Sequence, residues 1–222
     1  SGSRRHNGAM TGPRQWWTDR VVPRLVDRSL DDRLAGPWRE QVCGQACGVV
    51  LELGFGSGRT LPFYPDSVTR VLAVDPSDLA WEMAADRLTA SRMPVERVSQ
   101  DAASLPLAPE SVDTVVSTWS LCTIPDLDGA LAEVRRVLRP GGSFRFVEHA
   151  LAASPRMARV QRAIQPVWGR VAGGCHVDRD ILGLVRGAGL EVDTAHEGYL
   201  DAVTSPASWF AWIEAPSATT SS

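Results

Sequence analysis

Residues 49–60 read VVLELGFGSGRT. Val49, Val50, Leu51, Glu52 and Leu53 have the character of a buried strand, and three glycines follow at alternate positions, Gly54, Gly56 and Gly58. A glycine-rich turn after a buried strand lets a ligand approach the backbone, because no Cβ stands in the way. Several cofactor classes use such turns. The rest of the chain decides among them.

The 222 residues are enough for one α/β domain with a well-buried core. A hydrophobic share of 44% and a charged share of 22% suit a soluble globular protein. A net charge of −3 gives no reason to expect a nucleic acid partner. No stretch approaches the roughly 20 apolar residues of a membrane span, and no secretory pattern opens the chain. A cytoplasmic protein without integral membrane association is expected, as a monomer or a homodimer. All 23 basic residues are arginine. The missing lysine excludes a pyridoxal-phosphate Schiff base, a Walker-type phosphate loop and a protein kinase. Cys43, Cys47, Cys122 and Cys175 form no C-x-x-C pair. Free thiols are expected, with neither a disulfide framework nor the ligand spacing of a zinc cluster.

Residues 1–13 read as a disordered tail and 216–222 as a loose one, leaving 14–215 as a single domain. Its first part, 14–46, reads as a helical cap. Trp17, Val21 and Leu25 share one face there, Arg20, Arg24 and Arg28 share another, and Pro23 interrupts the run. A second helix is expected over 31–46. Strands are expected over 49–53, 68–74, 94–99, 112–117, 143–148, 190–195 and 208–214. Helices are expected over 77–90 with Ser77 as N-cap, 127–138 ending before Pro140-Gly141-Gly142, 154–170, and 179–187. This alternation predicts an α/β fold, Rossmann-like and doubly wound. Its seven-stranded sheet is mostly parallel, with helices on both faces and the ligand at the carboxyl ends of the strands.

A dinucleotide fingerprint needs a small residue where this chain has Arg59, so that reading fails. The spacing E-x-G-x-G-x-G, from Glu52 to Gly58, resembles the first motif of class I S-adenosylmethionine-dependent methyltransferases. RVLAVDPS (70–77), SQDAASLPLAPESVD (99–113), DTVVSTWSLCTIPD (113–126) and EVRRVLRPGGSFRFVEH (133–149) resemble the later motifs, in the same order. The resemblance implies S-adenosyl-L-methionine as cofactor and S-adenosyl-L-homocysteine as product. It puts Glu52, Gly54, Phe55, Gly56 and Gly58 against the cofactor. It puts Asp75, with Pro76, at the ribose hydroxyls, a role for which an acceptor-only carboxylate is suited. Asp101 and Ala102 fall at the adenine, and Thr118 and Trp119 beside the methionine moiety. Phe55 departs from the pattern, where smaller residues are commoner.

Within methyltransferases of type 11, Tyr64-Pro65, SLCTI (120–124), RPGGSFRFVEH (139–149), PVW (166–168) and GGCHVDRD (173–180) resemble the methyltransferase-like 7 group. Human members of that group are membrane-associated thiol methyltransferases. Their hydrophobic N-terminal anchor is not expected in this chain, so membrane residence is not carried over. The resemblance implies a small-molecule methyl acceptor, with S-methylation of a thiol foremost. Methylation of a phospholipid amine or a quinone-like ring is the alternative, and a non-catalytic cofactor-binding protein is the rival from another class. The intact glycine turn and acidic residues speak against that rival.

Transfer of a sulfonium methyl group is an in-line displacement that needs alignment and exclusion of water, and no metal. The acceptor pocket is expected around Trp119, Leu121, Cys122, His149 and Cys175, with Trp16 or Trp17 closing it. A thiol has a pKa near 8.5, so a base must take its proton. His149 is the first candidate and His176 the second. Cys122 and Cys175 read as small pocket hydrophobes. The basic N-terminal helix fits a lid, a contact with an anionic membrane surface, or a dimer contact.

Overall fold

The computed structural model describes residues 16–190, 195–199 and 209–213; the expected tails and most of the 190–195 strand lie outside them. The strands are β1 (Gly48–Leu53), β2 (Val68–Val74), β3 (Val95–Ser99), β4 (Val112–Thr118), β5 (Leu138–His149), β6 (Ala195–Tyr199) and β7 (Trp209–Ile213). They form one seven-stranded sheet in the order β3-β2-β1-β4-β5-β7-β6. β1 to β5 pair in parallel, while β7 runs antiparallel to both β5 and β6. The sheet is therefore doubly wound and mostly parallel. Strand order reverses between β1 and β4, so the loops after these two strands open side by side at one rim.

Central strands covered on both faces must be apolar on both sides. Val50, Leu51 and Leu53 on β1 and Val115 and Val116 on β4 are all without solvent exposure. One face packs on α5 (Leu127–Val137) and α7 (Ile181–Gly187) through Leu131, Val134, Ile181 and Val185. The other packs on α2 (Asp32–Cys43) through Ala35, Val42 and Cys43, together with Phe55 and Tyr64.

Local chemistry sets the ends of these elements. A π-helical turn, Trp17–Val21, leads into α1 (Val22–Ser29), with Pro23 in its first turn, where a missing N–H removes no helical bond. Asp31, Ser77, Asp126 and Asp180 cap the helices that follow them, each accepting from a backbone N–H two or three residues on. The stretch read as one helix over 77–90 is two, α3 (Asp78–Met83) and α4 (Ala85–Thr89), broken at Ala84. β5 begins five residues earlier than the sequence reading. Leu138 pairs with Val112 and Ser143 with Thr114, so Pro140-Gly141-Gly142 is an irregularity inside the strand. α6 is Pro155–Val171. Leu190 does not open a strand. Its N–H returns to the carbonyl of Val185, closing the end of α7, with Gly189 at φ +74°.

Glu52 sits on β1 with its carboxylate fully buried. It accepts from the Thr60 hydroxyl at 2.7 and 2.9 Å and from the Tyr64 hydroxyl at 2.9 Å. The loop after β1 is thereby pinned to the strand beneath it. Burial pushes the Glu52 carboxyl up to about 7, and the two hydroxyls oppose that rise. A carboxyl whose folded pKa is raised stabilises fully below its unfolded pKa and loses that contribution as pH rises through the folded value. Between about pH 4.5 and about pH 7, the wild type should therefore lose on the order of 3 kcal/mol of unfolding free energy relative to Glu52→Gln. Urea unfolding of both proteins across that window measures the difference, and a gap independent of pH would refute the assignment.

Candidate functional site

The turn after β1 meets the turn after β4. Gly54 lies at φ +73°, and a Cβ there would fall 1.8 Å from the Ser120 hydroxyl oxygen, so only glycine lets the two turns touch. Gly56, at φ +58°, differs. A Cβ there would meet only the Gly54 carbonyl oxygen, at 3.9 Å, so its outer side is open. The Gly56 N–H donates to the Asp75 carboxylate at 2.7 Å, and the Ser77 N–H donates to its other oxygen at 2.7 Å. Gly58 donates to the Phe55 carbonyl and closes the turn. Asp75 is 6% exposed, and burial pushes its pKa up against those two donors. A carboxylate offers about four acceptor positions, so two remain for a ligand.

The neighbouring strand end carries Asp101, which is exposed and accepts from the Ala103 N–H at 2.9 Å, with Ala102 buried beside it. Pro76 is exposed at the same rim. Two residues expected at the cofactor turn their side chains into the core. Glu52 is spent on Thr60 and Tyr64 under the turn. Phe55 is 3% exposed and packs on Trp81, with ring centroids 5.2 Å apart, so it fills the core below the rim. Both residues support the turn from inside the fold.

At the end of β4, Thr118 is half-buried and Trp119 takes φ +54°, a left-handed conformation uncommon for a residue with a side chain. The Trp119 N–H donates to the Val147 carbonyl at 2.8 Å. The Arg39 guanidinium stands 5.5 Å from the indole centroid, and the buried indole Nε1 has no hydrogen-bond partner among the described residues. Glu148, fully buried on β5, builds the turn that follows Trp119. It accepts from the Ser117 hydroxyl and the Ser120 N–H at 2.8 Å, the Leu121 N–H at 2.9 Å and the Cys122 N–H at 3.4 Å. Burial raises its pKa, and these donors oppose the rise.

The next residue, His149, stacks on Phe210 at 4.5 Å and turns Nδ1 toward two sulfurs. That nitrogen lies 3.6 Å from Cys122 Sγ and 3.7 Å from Cys175 Sγ, and the sulfurs are 3.5 Å apart. The two sulfurs share a hydrogen bond that holds Cys122 well above the usual thiol range, reinforced by burial, and lowers Cys175, with His149 adding to the lowering. The loop after α6 brings Cys175 here. The His176 N–H donates to the Cys122 carbonyl at 2.8 Å, and Arg179 donates to the Leu121 and Ile124 carbonyls at 2.8 and 2.7 Å. The expectation of no metal-ligand set needs correction. Cys122, His149 and Cys175 place three ligand atoms within 4.8 Å of one another. No local spacing reveals them, because they come from the ends of β4 and β5 and a distant loop. His176 is outside this group: its Nδ1 contacts Gln165 at 3.1 Å and Asp178 at 3.6 Å.

The N-terminal helix bears on the glycine turn. Asp27 on α1 accepts from Arg59 at 2.6 and 2.8 Å and from the Ser57 hydroxyl. The hydrogen bond from Arg59 holds the Asp27 carboxyl below its usual range. Arg59, the residue that broke the dinucleotide pattern, thus ties the cap to the turn, a link that residue spacing alone does not disclose. The Trp17 indole donates to the Val171 carbonyl at 3.4 Å, joining the cap to α6, while Trp16 is 55% exposed. No helix among the described residues is long and apolar enough to cross a membrane.

Residues 51–146 match the family model described as a methyltransferase domain. Thiol S-methyltransferase TMT1B of Rattus norvegicus is 35% identical over 135 residues, which is 59% of this chain and 55% of that protein. Phosphatidylethanolamine N-methyltransferase of Cereibacter sphaeroides is 34% identical over 122 residues, 53% of this chain and 58% of that protein. The chain spans little more than half the length of these relatives. Among solved structures, the Haemonchus contortus phosphoethanolamine N-methyltransferase 2, crystallised with phosphomonomethylethanolamine and S-adenosylhomocysteine, shares the fold with a TM-score of 0.66 at 14% identity. That match covers 85% of this chain and 47% of the other. In sequence over residues 51–146, and in fold over the seven-stranded sheet, this chain is similar to methyltransferases.

Proposed function

We propose that the chain is an S-adenosylmethionine-dependent methyltransferase that methylates the sulfur of a small-molecule thiol. The observation that carries the cofactor reading is the pairing of the open Gly56 with the buried Asp75 carboxylate at the strand-order reversal. A ligand there meets a backbone cradle on one side and two free acceptor positions on the other. The unpartnered Trp119 Nε1 at the neighbouring strand end is a buried donor suited to a polar ligand group. The thiol reading draws on the relative named above as a thiol S-methyltransferase.

When bound, S-adenosylmethionine supplies an electrophilic methyl group on a sulfonium centre. Asp75 holds the ribose hydroxyls, and Asp101 with Ala102 lines the adenine side. The Trp119 indole, with the Arg39 guanidinium 5.5 Å from its centroid, walls the methionine side of the site. Glu148 fixes the 119–122 turn, and so the line along which an acceptor approaches. His149 would take the proton of the acceptor thiol, leaving a thiolate free to accept the methyl group that the bound cofactor supplies. The α1 helix, tied to the turn by Asp27 and Arg59, covers the rim and keeps water out.

A screen of thiols, amines and phenols for release of S-adenosylhomocysteine tests this reading. Turnover of thiols with a methyl thioether product is expected. Turnover confined to a lipid amine would favour the reading suggested by the phosphatidylethanolamine relative. Asp75→Ala should weaken cofactor binding by at least about tenfold in calorimetry, since donors to a charged acceptor are worth about 1.5–3 kcal/mol each; unchanged affinity would remove Asp75 from the site. His149→Ala should bind the cofactor as the wild type does but lose about a hundredfold or more in turnover. Full activity in that variant would exclude His149 as the base.

A further inference from the structure

Cys122, His149 and Cys175 present two sulfurs and an imidazole nitrogen to one point. A tetrahedral zinc ion has bonds of about 2.3 Å to sulfur and about 2.0 Å to nitrogen. Those lengths put two sulfurs about 3.8 Å apart, and sulfur and nitrogen about 3.5 Å apart. The three separations here are 3.5, 3.6 and 3.7 Å. From this match we infer that the three residues form a binding site for a thiophilic divalent cation of the zinc class.

The donor set fits that class. Two thiolates and an imidazole suit zinc, whereas calcium and magnesium require oxygen ligands. Two thiolates neutralise a divalent cation, which suits a site walled on one side by Val177, Ile164 and Trp168 and on the other by the buried Glu148 carboxyl. Binding requires both sulfurs as thiolates, so any thiol proton still held in the cluster is released to solvent. The ligands are held in place by neighbouring groups. Glu148 accepts from the Cys122 N–H, the Cys122 carbonyl accepts from the His176 N–H, and Phe210 stacks on the imidazole. Cys122 and Cys175 are 1% and 5% exposed, while His149 is half-buried and leaves the approach open on its side.

Three protein ligands leave a fourth position, as in zinc sites that take up a substrate. An acceptor thiol is the natural occupant, and this extension rests on the thiol reading above. The metal site does not depend on that extension.

The test uses the full chain, reduced and stripped of metal, with neither cofactor nor acceptor present, so that its outcome is independent of methyl transfer. Cobalt(II) is titrated as an optical probe and zinc(II) by competition. One equivalent of cobalt should bind with a sulfur-to-metal charge-transfer band, zinc should displace it, and protons should be released. Cys175→Ser and His149→Ala should each weaken zinc binding by about a hundredfold or more, given that even supporting residues contribute 10–100-fold. Cys47→Ser, which alters an exposed thiol outside the cluster, should leave binding unchanged. Circular dichroism of each variant checks that the fold persists. Absence of the thiolate band in the reduced wild type would overturn the inference. So would a band that survives in a folded Cys122→Ser/Cys175→Ser protein.

Discussion

A carboxylate taken out of water is costly unless its oxygens are hydrogen-bonded. This sheet buries three at or beside its central strand ends: Glu52 on β1, Asp75 just past β2 and Glu148 on β5. Each is satisfied by the loop next to it. Glu52 draws in the hydroxyls of Thr60 and Tyr64, Asp75 the backbone of Gly56 and Ser77, and Glu148 the backbone from Ser120 to Cys122. The need to satisfy these charges fixes the loops that make the rim. An apolar residue in their place would bury as readily and leave those loops free of the sheet.

The rim divides along the line where strand order reverses. On the β1–β2 side the groups suit an adenosyl ligand: open glycine backbone, a carboxylate with acceptor positions to spare, and a second acidic residue beyond. On the β4–β5 side they suit sulfur: two thiols, an imidazole, and an aromatic ring held in an unusual backbone conformation. Ser120 and Gly54 are in contact where the halves meet, with the Ser120 hydroxyl 3.4 Å from the Gly54 carbonyl. Geometry set up on one side is therefore transmitted to the other over a short distance. The N-terminal cap is anchored on the first side by Asp27 and Arg59 and on α6 by Trp17, so it bridges the elements that line both.

The central strands β1 and β4 and the second half of β2 were legible in the sequence, because a strand buried on both faces is a near-continuous apolar run that ends in turn residues, whereas the edge strand β3 carries no such run. The glycine turn and Asp75 were legible for the same reason, as they follow immediately from those runs. Elements whose limits depend on distant partners were not. Pro140-Gly141-Gly142 reads as a break, yet pairing with β4 resumes on either side of it. Leu190 has strand character but is used to close a helix. Glu52 and Phe55 occupy motif positions, and only the packing tells that they face inward. Motif positions led to the expectation of Cys122, His149 and Cys175 around one pocket, but the meeting of their donor atoms at one point leaves no trace in local spacing, since each pair is separated by more than twenty residues. Arg59 looked like a mismatch in one pattern and proves to be the partner of Asp27.

The central claim is that an adenosyl ligand is held between the Gly56 backbone and the Asp75 carboxylate. A crystal structure of the chain grown with S-adenosylhomocysteine tests it directly. The account predicts the ribose hydroxyls within hydrogen-bond distance of Asp75 and the homocysteine sulfur turned toward Trp119 and the β5 end. The nucleoside lodged elsewhere, with this rim empty at saturating ligand, would contradict it.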